Sequence, residues 1–195
     1  MSLSTYYMRQ ASRKVAAQAT RTMRLEETLA LRAAPVALWL VLHALSQNST
    51  SLMMRPGLRY ALSRSREDVL KTGRLGAADV RARGDELFQK VMGPHAGRAV
   101  RAIENLAKVD ARRARTILAI SAIAAVSALG ETKRELNLSA GQTVGVLLSE
   151  AAFMDNADPA LLRKVRDWVF RPPWWSRLMS RAAMLLHRPA PSPSL

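Results

Sequence analysis

The stretch "TILAISAIAAVSALGETKRE", residues 116–135, opens with fifteen uncharged residues and continues with four charges in five positions. A helix over Thr116–Gly130 would span about 22 Å, which is short of the roughly 30 Å hydrocarbon core of a bilayer. It carries no aromatic residue that would mark a membrane interface. A helix that is apolar on every side lies either in a membrane or at the centre of a bundle. We therefore predict that Thr116–Gly130 is the buried central helix of a soluble bundle, ending at Gly130.

A second apolar stretch, Ala33–Leu45, is thirteen residues long with Pro35 near its start. It can form another core helix of the bundle. It can also be the apolar region of a signal anchor behind a basic leader, although no convincing cleavage site follows it. Both interpretations stay open at the level of sequence.

The rest of the chain has the apolar periodicity of amphipathic helices and no alternating β pattern. We predict an all-α, multihelical bundle of about eight short-to-medium helices. Four helix starts have capping signals: Asp110, Ser139 with Gln142, Asp158 followed by Pro159 and, as a looser version of the capping box, Ser65 with Asp68. The predicted breaks fall at residues 48–51, 56–57, 73–76, 84, 93–94, 130, 156–159 and 172–173.

Charge and composition suggest a division of the chain. The net charge is +15, and residues 1–25 carry five basic residues and no acid. The predicted parts are a basic N-terminal arm or helix (1–25), a helical core (26–155), C-terminal amphipathic helices (156–188) and a disordered tail (189–195). Cysteine is absent, which excludes disulfides and thiolate chemistry and suits a reducing compartment.

No pattern indicates catalysis or a cofactor. His43 is expected in the core or at its rim, and His95 and His187 are expected to be exposed. None has a carboxylate at helical spacing that would build a metal site. The adjacent acid pairs suit first turns of helices. We expect no enzyme, no catalytic residue, no metal and no cofactor.

The basic residues have two interpretations, because an Arg- and Ala-rich chain is also what a GC-rich genome encodes. The functional interpretation is attraction to phosphate, in nucleic acid or in anionic lipid. The candidate phosphate-contacting residues are Arg55, Arg59, Arg64, Arg112, Arg113 and Arg115.

The segment 171–188, "RPPWWSRLMSRAAMLLHR", predicts an amphipathic helix whose apolar arc is led by two tryptophans. Its arc can dock on the domain or on an identical subunit, or it can face lipid or another partner. The residues proposed for this partner or lipid surface are Trp174, Trp175, Arg177, Leu178, Arg181, Leu185 and Arg188.

Two apolar helices that each end in Ala-Leu complete the pattern. The first runs from Ala34-Pro35 to Ala44-Leu45, and the second leads from Val109-Asp110 to Ala128-Leu129-Gly130. Over about residues 25–154 the chain resembles a divergent member of the YidB-like family of bacterial helical domains. The resemblance implies a multihelical fold and no catalytic residues. Further matching segments are Asn48, Gly57, Val91–His95, Leu138–Gly141 and Val144–Leu148.

From these observations we expect a non-enzymatic interaction or adaptor protein of the bacterial cytoplasm. The alternatives are a sequence-nonspecific nucleic-acid-associated protein and a protein held peripherally at the inner membrane by its C-terminal helix. The candidate partners are another protein, nucleic acid, an anionic membrane surface and a second copy of the chain.

Overall fold

The computed structural model describes residues 3–50 and 69–171, and all regular structure in these ranges is helical. This confirms the predicted all-α, multihelical fold class. Seven helices exceed one turn within the described ranges, and an eighth is a single turn. In chain order they are α1 (Leu3–Met23), α2 (Glu27–Thr50), the single turn α3 (Val69–Thr72), α4 (Ala78–Met92), α5 (Ala96–Ala107), α6 (Ala111–Glu135), α7 (Ala140–Ala157) and α8 (Pro159–Val169).

The centre of the bundle is α6, which packs against α1, α2, α3, α4, α5 and α7. Every residue from Ile117 to Thr132 is buried, as the apolar stretch predicts. The helix starts where Asp110 accepts a hydrogen bond from the backbone N–H of Arg113 at 2.8 Å. A helix that is apolar all round is thereby enclosed by protein on all sides.

The predicted end of this helix at Gly130 is wrong, because α6 continues to Glu135. The first charge after the apolar run, Glu131, is buried and forms ion pairs with Lys71 at 2.8 Å and with Arg134 at 2.6 Å. These partners compensate the buried carboxylate, so it does not interrupt the helix. The chain leaves the helix at Asn137, which has a positive φ of 49°.

The length argument from the sequence also fails, since 25 residues span about 37 Å. By length and composition, Glu27–Gln47 and Ala111–Glu135 could each cross a membrane. The buried shares of their most apolar windows are 72% and 89%, and a core helix of a soluble protein passes the same test.

The second apolar stretch begins earlier than predicted. Pro35 lies inside α2 rather than near its start, because the helix begins at Glu27. A proline inside a helix removes one backbone hydrogen bond and costs about 3 kcal/mol. The burial of nearly every residue from Ala33 to Leu45 against α1, α6 and α7 offsets that cost.

Gly84 was predicted as a break and is instead a buried residue inside α4. A Cβ at this position would lie 2.3 Å from the carbonyl oxygen of Ala119 in α6. The glycine therefore allows α4 and α6 to approach closely, and it does not end a helix.

The first helix is part of the core. Met8, Ala11, Val15 and Ala19 of α1 are buried, and α1 contacts both α6 and α2. Residues 3–23 are therefore not a free cationic arm. The same apolar cluster extends to Leu162 and Val169 of α8, so one core runs through the described residues.

Two further caps are confirmed, and the one predicted at Ser65 with Asp68 lies outside the described ranges. Ser139 and Gln142 form a complete capping box at the start of α7. Asp158 accepts a hydrogen bond from the N–H of Leu161 at 3.2 Å, with Pro159 at the first position of α8.

Candidate interaction surfaces

The predicted phosphate-contacting arginines at the start of α6 are largely engaged by carboxylates. Arg115 donates to both oxygens of Asp85 at 2.6 and 2.7 Å, and this pairing raises the pKa of the guanidinium. Arg113 lies 3.5 Å from the carboxylate of Asp110. Arg112 is exposed beside them. Two of these three positive charges are thus partly compensated within the protein.

The other predicted site residues lie outside the described ranges. These are Arg55, Arg59 and Arg64 between α2 and α3, and the surface of Trp174, Trp175, Arg177, Leu178, Arg181, Leu185 and Arg188. His187 and the predicted tail lie outside them as well.

A row of exposed arginines runs along α1. Arg9, Arg13 and Arg21 repeat at multiples of four residues with Ala17 between them, and Arg24 follows the end of the helix. Residues four apart lie on one face, so the row extends about 18 Å from Arg9 to Arg21. The helix contains no acidic residue; Glu26 and Glu27 follow Arg24 at the start of α2. We call Arg9, Arg13, Arg21 and Arg24 the arginine row.

Polar contacts fix the N-terminal end of α1. The buried carboxylate of Glu150 in α7 accepts hydrogen bonds from the hydroxyls of Ser4 and Thr5. The hydroxyl of Tyr7 donates to Glu135 at the end of α6, and this bond raises the pKa of Tyr7 to about 12. Because the negative charge of Glu135 favours the neutral phenol, the contact persists at neutral pH. The arginine row therefore lies on a helix that is anchored at its start.

The exposed face of α7 has the opposite character. Among the residues of α7 whose side chains the structure describes, the exposed ones are uncharged and include Leu148, which is 40% exposed, and Phe153, which is 49% exposed. Gly145 and Ser149 lie between them on the helix surface. The helix contains no lysine or arginine, and it is the only one of the seven longer described helices of which this holds. We call the surface formed by Gly141, Gly145, Leu148, Ser149, Ala152 and Phe153 the neutral face of α7.

Phe170, just after α8, holds that helix on the bundle. Its ring centroid lies 4.8 Å from that of His43 and 5.2 Å from that of His95. His43 is buried and stacks on Trp39, as expected for a core histidine. His95 is half-buried rather than exposed as predicted, because Phe170 covers it. Burial, and secondarily the charge of Arg98, lowers the pKa of His95.

Arg98 completes this junction by donating to the carbonyl oxygens of Arg171 at 2.6 Å and Trp168 at 3.5 Å. A cation at the C-terminus of a helix is electrostatically favourable. Beside the junction is a cavity of about 690 Å³. An apolar groove of about 430 Å³ lies between α5 and α8. The cavity is lined in part by His43, Gln47, Lys164, Arg166, Trp168 and Phe170, and the groove by Leu106, Leu161, Val165 and Trp168.

The described residues contain no cluster of three or more His, Asp or Glu that could hold a metal ion. Sequence reasoning noted the charge of residues 1–25 but missed the row. The four-residue spacing of Arg9, Arg13, Ala17 and Arg21 was the signal. Sequence reasoning also missed the neutral face of α7. The sequence feature that could have indicated it is a helix without a basic residue in a strongly basic chain.

Comparisons of the chain with protein-family models, with curated proteins and with solved structures find no match.

Proposed function

We propose that this chain is a non-enzymatic interaction protein that binds the phosphate backbone of a nucleic acid through the arginine row of α1. The observation that carries the proposal is the row of three exposed arginines along α1, a helix that contains no acid, with the exposed Arg24 just after its end. Guanidinium groups bind phosphate in a bidentate manner and remain charged at all physiological pH values. The row would therefore contact successive phosphates without reading bases.

The row fits nucleic acid better than a lipid surface. A helix that lies in a membrane interface inserts its apolar face among the lipids. The apolar face of α1, which includes Met8, Ala11 and Val15, is already buried against the bundle. Among the described residues of α1, Tyr6 is the one exposed aromatic side chain next to the row, and it is 46% exposed. An outward face of arginines with a single exposed aromatic ring suits a phosphodiester backbone better than insertion among lipids.

The row also fits the proposal better than the start of α6. Arg113 and Arg115 would have to leave Asp110 and Asp85 before they could bind phosphate. Such an exchange of one anion for another reduces the net gain in free energy. Arg13 and Arg21 of the row lie on a helix with no acid of its own.

The proposal also includes a location and a family resemblance. It places the chain in the bacterial cytoplasm and treats it as similar to the YidB-like helical domains. That resemblance implies no catalytic residues. The alternative is a peripheral position at the inner membrane, which rests on the segment with Trp174 and Trp175. Co-sedimentation of the full chain with anionic vesicles, compared with the double variant Trp174→Ala and Trp175→Ala, separates the two.

The proposal is tested with two charge-matched variants and a labelled 30-base-pair DNA duplex of arbitrary sequence. The row variant changes Arg9, Arg13, Arg21 and Arg24 to Gln. The control variant changes four basic residues that are exposed on other helices to Gln, which removes the same net charge: Arg81, Arg101, Arg163 and Lys164.

At about 50 mM salt we expect the wild-type chain and the control variant to bind the duplex and the row variant to lose at least tenfold in affinity. A further variant with Lys at the four row positions keeps the charge and should bind. Equal loss in the row and control variants would attribute binding to net charge alone and would overturn the proposal. So would binding to anionic vesicles that depends on the row while the duplex is not bound.

A further inference from the structure

The neutral face of α7 is an exposed surface with two large apolar side chains on a strongly basic protein. At 100° per residue its members fall within an arc of about 140°, with Leu148 at one edge and Phe153 at the other. Between these edges lie Gly141, Gly145, Ser149 and Ala152, all exposed and small, and the exposed polar residues Gln142 and Asn156 fall within the same arc. The opposite side of the helix, with Thr143, Leu147, Glu150 and Ala151, is buried in the protein.

Charge limits which partner can cover this face. Two copies of a chain with a net charge of +15 repel each other wherever basic surfaces meet. Among the seven longer described helices only α7 lacks lysine and arginine, so contact through α7 brings the fewest like charges together. An acidic partner would gain no Coulomb attraction from this face and would favour the basic helices instead.

The face combines small residues with two large apolar side chains. A Cβ added at Gly141 or at Gly145 would have no atom within 4 Å, so the backbone of α7 is open to close approach there. Leu148 and Phe153 project beside this shallow strip. In a two-fold arrangement the same surface occurs on both subunits, so the large side chains of one copy can cover the small residues of the other.

We infer that the neutral face of α7 is a self-association surface, on which the α7 helix of a second copy of this chain packs about a two-fold axis. A single pair of helices buries less than the roughly 800 Å² per partner of a standard stable interface. The dimer should therefore be weak and concentration-dependent. Because like charge opposes it, the dimer should strengthen as salt screens the repulsion.

The inference is independent of nucleic-acid binding and has the opposite dependence on salt. Association through phosphate contacts weakens as salt rises. Association of two like-charged copies through the neutral face of α7 strengthens as salt rises, because salt screens their repulsion. Failure of one proposal therefore leaves the other intact.

The absence of cysteine makes the surface directly testable by disulfide trapping, since a single introduced cysteine has no competing thiol. The full-length variants Gly145→Cys and Ser149→Cys place the thiol at the centre of the face. At Gly145 the added side chain meets open space, so the variant should fold. The matched controls are Ala17→Cys on the exposed face of α1 and Leu31→Cys on the exposed face of α2.

Under mild oxidation at micromolar concentration, we expect a disulfide-linked dimer from the two α7 variants and at least fivefold less from the two controls. Addition of Leu148→Glu to Gly145→Cys should abolish trapping, whereas addition of Leu31→Glu, an equal charge change at an exposed leucine, should not. Equal trapping at all four positions, or none at α7, would overturn the inference.

A sedimentation dilution series of the cysteine-free chain gives the second measurement. We expect the average mass to rise with concentration and with salt, and Leu148→Glu to hold the chain as a monomer. A monomer at all concentrations would overturn the inference. Disulfide trapping at α7 only after Trp174→Ala and Trp175→Ala would overturn it as well, because the chain's own C-terminal segment would then be the occupant of the face.

Discussion

The helices α1 and α7 contribute to the same core and present opposite surfaces. Both bury one face in the bundle, and they meet where Glu150 of α7 accepts hydrogen bonds from Ser4 and Thr5 of α1. Outward, α1 carries arginines and no acid, whereas α7 carries no basic residue at all. Because folding constrains mainly the buried faces, the contrast between the exposed faces carries the information about partners.

The comparison also shows why total charge is a poor guide to function. The net charge of +15 could come from genome composition, which would spread arginine over every exposed helix face. Among the seven longer described helices, one instead carries a row of arginines and one carries neither lysine nor arginine. The placement of charge, rather than its amount, distinguishes the two surfaces.

The largest expected effect concerns the buried faces of α1 and α7, which both contain apolar core residues. Val15 of α1 is 0% exposed and Leu147 of α7 is 1% exposed. A change of either to Asp should cost on the order of 4 kcal/mol or more and unfold the protein, because the charge has no partner in the core. Thermal melting followed by circular dichroism measures this.

The control is Ala17→Asp on the exposed face of α1, which should leave the melting temperature within a few degrees of wild type. If Val15→Asp and Ala17→Asp melted alike, α1 would not be a core helix and the comparison with α7 would lose its basis.

A smaller difference in stability is expected between alanine substitutions at Gly84 and at Gly145. Gly84→Ala should destabilise the protein by about 1–3 kcal/mol, since the new Cβ would lie 2.3 Å from the carbonyl oxygen of Ala119. A Cβ added at Gly145, on the neutral face of α7, would have no atom within 4 Å, so Gly145→Ala should stabilise the helix by about 0.5–1 kcal/mol. Urea unfolding at low protein concentration, where dimers are negligible, gives both values; the same sign for both would contradict the packing described for α4 and α6.

The smallest effect is a dependence on alkaline pH at the start of α1. The hydrogen bond to Glu135 raises the pKa of Tyr7 from 10.0 to about 12. The stability that this contact contributes is complete below pH 10 and is lost as the pH rises through 12. Stability should therefore fall less between pH 10 and 12 in Tyr7→Phe than in wild type. Identical pH profiles would show that the contact with Glu135 does not form.

Sequence reasoning succeeded where the signal was local. The caps at Asp110, Ser139 and Asp158 were predicted because a capping residue bonds to groups within three residues of itself. The apolar run of α6 was predicted as buried because no other environment suits a helix without a polar face.

It failed where tertiary packing decides the role of a residue. Gly84 and Gly130 look like breaks in a one-dimensional pattern, but both lie inside helices. The charges after Gly130 suggested a surface, and the partner Lys71 of Glu131 lies sixty positions earlier in the chain. The contact between His95 and Phe170 likewise joins residues that no local pattern connects.

The measurement that tests the central claim most directly is the salt dependence of duplex binding in stepwise variants of the arginine row. Each arginine that contacts a phosphate contributes about 0.9 to the slope of log K against log salt concentration. We predict a slope of up to about −3.6 for the wild-type chain, reduced by about 0.9 with each of the four arginines changed to Gln. The control substitutions at Arg81, Arg101, Arg163 and Lys164 should leave the slope unchanged. Equal reduction by both series would contradict the account.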